Sequence, residues 1–139
     1  MNFSEQYTFV LEMGVRDYEL DYQGIVNNAN YLHYMEHTRH QFCAQAGLTF
    51  SEMHERGIDP VLRHVDINYC RPLRSNDTFV SCLNLERRGP KFVFVQDLYL
   101  PDGTPVVKAE ITVACIENGR LTRGDVLADA FGKYLSPAK

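Results

Sequence analysis

Four stretches of period-two alternation follow a single long stretch of helical period, and that order leaves few architectures open. From Pro105 to Asn118, Val107, Ala109, Ile111, Val113 and Cys115 fall on one face, and Lys108, Glu110 and Thr112 on the other. The segments Ile58 to Tyr69, Thr78 to Arg88 and Phe92 to Leu100 are β-rich in the same manner. Ahead of them, Asn30 to Ala46 places Tyr31, Met35, Thr38, Phe42 and Ala46 on one helical stripe. A sheet with one apolar face must cover it, and this helix is the long apolar element at hand. The spacing therefore predicts an α+β domain built on an antiparallel sheet, with the strand order left open.

The segment ends carry their own signals. Asp102-Gly103 and Asn118-Gly119 are hairpin dipeptides. Gly47 suits the left-handed residue that closes a helix. Thr49 with Glu52 forms a capping-box pattern opening a short helix through Arg56, which Gly57 stops. Tyr7 to Val15 is a strand candidate, Arg16 to Asn28 is a polar turn containing Gly24, and Asp125 to Leu135 suits a short helix. The chain of 139 residues shows no repeat or linker and is expected to form a single domain, 1–139, with a core large enough to stand without staples.

A formal net charge of -4 argues against general nucleic-acid binding, which favours basic surfaces. No apolar run approaches the ~18 residues of a membrane helix, so no membrane association is expected. The start MNFSEQYTFVLEMG lacks a basic region followed by an apolar one, so no targeting peptide is expected. Four widely spaced cysteines form no CxxC pair, and three of them lie in strand-like apolar segments, where they read as small buried hydrophobes. A cytoplasmic location is the expectation.

The turn before the helix concentrates the chemistry. Asp21 stands seven positions before Asn28, where unpaired backbone N–H groups and the positive end of a helix dipole are expected. A carboxylate beside such donors suits attack on a carbonyl, or activation of water for that attack, with the Asn28 N–H holding the charge that develops on the oxygen. Gly24 lets the turn approach a ligand closely. Asp21 also fits a plain turn former. Asp17 and Glu19 add carboxylates to the same turn; solvation is their ordinary fate, although a second acid near Asp21 would raise one pKa.

Residues 16–39, RDYELDYQGIVNNANYLHYMEHTR, resemble the signature of the hotdog-fold acyl-CoA thioesterases, in particular the branch related to 4-hydroxybenzoyl-CoA thioesterase. The matching positions are Asp21, Gly24, Ile25-Val26, Asn27-Asn28 and Asn30-Tyr31. HVDINYCRPLRSND from His64 and ERRGPKFVFVQDL from Glu86 are similar to two further segments of that family. The resemblance implies a five-stranded antiparallel sheet wrapped around one long central helix. It implies a homodimer or homotetramer paired through sheets, with sites at the subunit interface, acting on an acyl-CoA or acyl-carrier-protein thioester. Coenzyme A would then be part of the substrate, and no separate cofactor is expected.

The resemblance assigns Asp21 and Asn28 to catalysis, Gln23, Gly24, Val26, Asn27 and Tyr31 to substrate binding, and the cationic cluster Arg87, Arg88 and Lys91 to coenzyme A phosphates. A solvated hairpin tip is the plain reading of that cluster, and Arg71 and Arg74 are fainter phosphate candidates. The chain departs from two branches, having Asn27-Asn28 in place of Tyr-His and Ile25 in place of the His of His-Val-Asn-Asn. A non-catalytic acyl-CoA-binding module of the same fold is therefore the alternative.

Three helix features have bland readings. Glu36 and Arg39 suit an i,i+3 ion pair. Tyr31, Met35 and Phe50 suit core packing better than pocket walls. His33 to His37, HYMEH, matches the H-x-x-E-H pattern of a zinc protease, but a solvated face or subunit contact suits these histidines better, and no metal is expected.

Overall fold

The computed structural model describes residues 2–136; the first residue and the last three of the expected domain 1–139 lie outside the described residues. In chain order the elements are α1 (Phe3–Gln6), β1 (Phe9–Gly14), a 3-10 turn (Asp17–Glu19), α2 (Asn28–Ala46), α3 (Phe50–Glu55), β2 (Ile58–Tyr69), β3 (Thr78–Arg88), β4 (Lys91–Tyr99), β5 (Pro105–Glu117), β6 (Arg120–Leu121), α4 (Asp125–Phe131) and a closing 3-10 turn (Gly132–Tyr134). The strands form one antiparallel sheet in the order β1-β3-β4-β5-β2, with β6 paired to β5. The five expected strands are all present, and the two-residue β6 makes a sixth. It follows the turn at Asn118 (φ 49) and Gly119 (φ 83), a pair of left-handed residues that hairpins use.

Register explains which residues enter the core. Val107, Ala109, Ile111 and Val113 of β5 stand opposite Leu98, Gln96, Phe94 and Phe92 of β4. These eight side chains share one face and are buried, with α2 against them. The helix contributes Tyr31, Tyr34, Met35, Thr38, Phe42 and Cys43. Its polar atoms are answered by the sheet: Gln96 Nε2 donates to the Met35 carbonyl at 3.0 Å, and the Thr38 and Ser81 hydroxyls meet at 2.7 Å. Buried polar atoms need such partners, and these contacts also set how α2 lies across the sheet.

Several expectations shift. The first strand begins at Phe9, because Tyr7 turns to the outer sheet face, where its hydroxyl donates to Asp97 Oδ2 at 2.5 Å. The long helix opens at Asn28, as the turn reading expects and ahead of the periodic stripe from Asn30, with Asn27 as its cap: Asn27 Oδ1 accepts from Ala29 N at 3.0 Å. Arg39 does not form a salt bridge with Glu36; its guanidinium donates to Gln96 Oε1 at 3.0 Å. Cys43, Cys82 and Cys115 are buried, but Cys70, one residue beyond β2, is exposed. Glu19 is buried rather than solvated, at 6% exposure.

On β2, Leu62, Val65, Ile67 and Tyr69 pair with inward-facing β5 residues, yet Leu62 and Tyr69 remain 54% and 50% exposed. A bulge between Leu62 and His64 interrupts this strand.

Candidate active site

Glu19 organises the turn that precedes α2. Its backbone carbonyl accepts from Asn27 N and from Asn30 Nδ2, both at 2.9 Å. Between these anchors, Leu20 bridges Val26, and Asp21 N donates to the Ile25 carbonyl at 2.8 Å. Gly24 stands at φ 79, a left-handed conformation that the reversal requires. Val26 N donates to the Leu73 carbonyl at 2.8 Å, which fastens the turn to the segment after β2.

Asp21 itself braces this turn. Its Oδ1 accepts from Gln23 N at 2.8 Å and more weakly from Ile25 N at 3.5 Å. The other carboxylate oxygen has no hydrogen-bond partner among the described residues. Asn28 opens the 19-residue helix, and its backbone N–H has no partner among the described residues. The first N–H groups of any helix lack intrahelical acceptors, so this donor is available to a ligand.

That donor belongs to a residue lining a cleft of about 210 Å³. Ile25, Val26 and Asn28 line one side, Tyr31 rises from α2, and Tyr69, Cys70, Arg71 and Pro72 close the other side. Tyr31 and Tyr69 meet edge to face, with ring centroids 5.5 Å apart. The Tyr31 hydroxyl accepts from Leu73 N at 3.1 Å. Burial pushes the Tyr31 phenol pKa up, and the negative charge of Asp21 adds to that shift. Asp21 is thus within electrostatic reach of Tyr31 without lining the cleft of a single chain.

The remaining candidates divide by position. Val26, Asn28 and Tyr31 converge on the cleft; Gln23 and Gly24 lie exposed on the turn, and Asn27 caps the helix. Arg87, Arg88 and Lys91 stand at the opposite end of the sheet. The eleven residues of β3 separate that tip from the turn by roughly 33 Å at about 3.3 Å per residue. Arg87 donates to Asp125 Oδ1 and the Arg123 carbonyl, each at 2.7 Å. Arg88 bridges Glu86 at 3.1 Å and Glu110 at 3.0 Å. Lys91 is exposed. Tyr69 and Cys70 are absent from the sequence-based candidates, where Glu19 figures only as a solvated turn carboxylate; the family-like segment from His64 is the signal that pointed toward Tyr69 and Cys70. His33 and His37 are exposed on α2, and no group of three metal-ligating side chains converges among the described residues. No described helix is long and apolar enough to cross a membrane.

The sequence profile of the thioesterase-like superfamily matches residues 15–132, which take in α2, α3, α4 and every strand but β1. The chain belongs to the thioesterase-like superfamily. Within that superfamily it is 35% identical over 114 residues to the chloroplastic acyl-acyl carrier protein thioesterase ATL2 of Arabidopsis thaliana, covering 78% of this chain. The match spans only 58% of that plant protein's length. A putative acyl-CoA thioesterase of Bacillus subtilis (strain 168), YneP, is 33% identical over 107 residues, covering 76% of this chain and 78% of the relative. A hypothetical protein from Aquifex aeolicus has the same fold in its crystal structure, with TM-score 0.81, 31% identity, and coverage of 88% of this chain and 98% of that one. The thioesterase-like superfamily and the antiparallel sheet on a long helix agree with the hotdog fold expected from residues 16–39.

Proposed function

We propose that this chain hydrolyses an acyl-CoA or acyl-carrier-protein thioester, with Asp21 as the catalytic carboxylate and the Asn28 N–H as oxyanion donor. The observation that carries the reading is the Asn28 N–H, unpartnered among the described residues, at a helix opening whose first residue lines a cleft. A thioester carbonyl bound there would receive that hydrogen bond as its oxygen gains charge. The unpartnered oxygen of Asp21 would take a proton from water. Hydroxide then adds to the carbonyl carbon, the C–S bond breaks, and the thiolate leaves to be protonated. Direct attack by the carboxylate is the other route open to the same residue. The names of ATL2 and YneP support thioester chemistry and both carriers. Because Arg87 and Arg88 are held by carboxylates, Arg71 at the cleft is better placed for coenzyme A phosphates, and exposed Lys91, at the far end of the sheet, could serve only the cleft of a second copy.

The reading includes a second copy. A free strand edge with half-exposed apolar side chains invites pairing, and β2 offers Leu62 and Tyr69 there. Antiparallel pairing of two β2 strands would wall the cleft and bring the partner's hairpin tip toward Tyr69. We expect the wild type to run as a dimer in light scattering, and Leu62→Glu to shift it toward monomer with loss of turnover. A monomeric wild type with full turnover would remove the interface from the proposal.

Ligand binding without hydrolysis is the second reading, favoured by the bracing role of Asp21 Oδ1. Thiol release from a panel of aryl and alkyl acyl-CoA thioesters separates the two. Continuous release supports hydrolysis; thermal stabilisation by the panel without release supports binding alone.

A further inference from the structure

The mechanism above leaves a buried carboxylate unused. Glu19 is 6% exposed, lies two residues before Asp21, and touches neither the cleft nor the reacting atoms. Its Oε1 accepts from the Tyr34 hydroxyl at 2.8 Å and from Arg16 N at 2.7 Å, and Oε2 lies 3.5 Å from the Arg16 guanidinium. Tyr34 belongs to the second turn of α2 and is itself buried, at 2% exposure. Burial and the neighbouring Glu19 both push the Tyr34 phenol pKa up, so it stays a donor. On its main-chain side the Glu19 carbonyl accepts from Asn27 N and Asn30 Nδ2. One residue therefore grips α2 at two levels, through its side chain at Tyr34 and its carbonyl at the helix cap. The strand-like return from Leu20 to Val26, which carries Asp21, hangs between those grips.

We propose that Glu19 is the positioning residue of this site, fixing the Asp21 turn against the opening of α2 so that carboxylate and Asn28 N–H face one bound carbonyl. This rests on the reading of Asp21 as the catalytic carboxylate. A buried acid has an unfavourable desolvation term, which is offset here by two donors and an adjacent cation. A shift of about 1 Å in a reacting group costs up to about 100-fold in rate, so the grip bears on turnover.

The test compares Glu19→Ala, Glu19→Gln and Tyr34→Phe in steady-state thiol release and amide hydrogen exchange. Glu19→Ala is expected to lower kcat between roughly 10-fold and 100-fold with KM within about twofold. The Gln23, Ile25 and Asn27 amides should exchange faster, while those of β4 and β5 hold. Glu19→Gln keeps the acceptor oxygen and should restore most of kcat. Tyr34→Phe removes one donor only and, should Glu19→Ala fail to fold, serves in its place with a smaller loss of kcat. Unchanged kcat in folded Glu19→Ala, unchanged turn exchange, or Gln no better than Ala would overturn the proposal. Asp21→Asn, run alongside, tests the underlying reading separately. If that variant matches wild type, the reading of Asp21 fails, and turn exchange alone decides whether Glu19 holds the segment.

Discussion

Asp21→Asn is expected to lower thioester turnover by about 100-fold or more while the protein stays folded, the scale of removing a general base or nucleophile. The substitution separates chemistry from architecture because asparagine keeps an oxygen where Oδ1 accepts from Gln23 N and Ile25 N. The turn therefore persists, and the unfolding midpoint should move by no more than about 3 °C, in line with a change below about 1 kcal/mol. What disappears is the negative charge and the basicity of the second oxygen. Steady-state thiol release with a matched melting curve measures both quantities at once. Turnover equal to wild type would end the assignment of Asp21, whereas loss of both turnover and midpoint would make it a structural residue only.

Phe42→Ala is expected to have the largest effect on stability. Phe42 is 2% exposed, about one turn before the end of α2. It stacks on Phe131 at 5.9 Å and meets Tyr134, Phe9 and Phe94 edge to face at 5.5, 6.0 and 6.4 Å. The ring thus joins the long helix to α4, to the closing 3-10 turn, to β1 and to β4. Truncating a buried Phe costs about 3–5 kcal/mol, a large share of the roughly 5–15 kcal/mol that holds a domain together. A drop of roughly 10–20 °C in the unfolding midpoint follows from that cost. A calorimetric midpoint within about 3 °C of wild type would show that the site collapses around the gap, contrary to this account.

How much of this was legible in the chain depended on whether a residue's partners are near it in sequence. Val107, Ala109, Ile111, Val113 and Cys115 announce their strand because alternation is a local property of one pleated segment, and the structure buries each of them. Thr49 and Glu52 announce their cap for the same reason, and Glu52 N does donate to Thr49 Oγ1 at 3.1 Å. Arg39 is the opposite case. Its nearest acid in sequence is Glu36, but its bonding partner Gln96 lies on β4, brought near only by the register of the sheet. Glu19 is misjudged by the same locality: an acid in a polar turn is ordinarily wet, and nothing nearby reveals that Tyr34 will close over it.

The site itself was half visible. Asp21, Gly24 and Asn28 were named from one short motif, because turn, glycine and helix opening are all local. The cleft was not, since its second wall comes from Tyr69 to Pro72, brought to Tyr31 by the pairing of Leu73 with Val26. The bonds of Arg87 to Asp125 and of Arg88 to Glu110 were not legible either, because those acids belong to elements more than twenty residues away.

The uneven burial of the thiols bears on how turnover must be watched. Three sulfurs are sealed in the interior, and Cys70 sits at the cleft wall. A chromogenic disulfide reagent, the usual way to see released coenzyme A, will meet that one sulfur as well as product. The first equivalent of colour is then enzyme rather than catalysis, and its capture crowds the cleft proposed to take the substrate. A readout blind to sulfur, such as ultraviolet loss of the thioester bond, avoids both distortions.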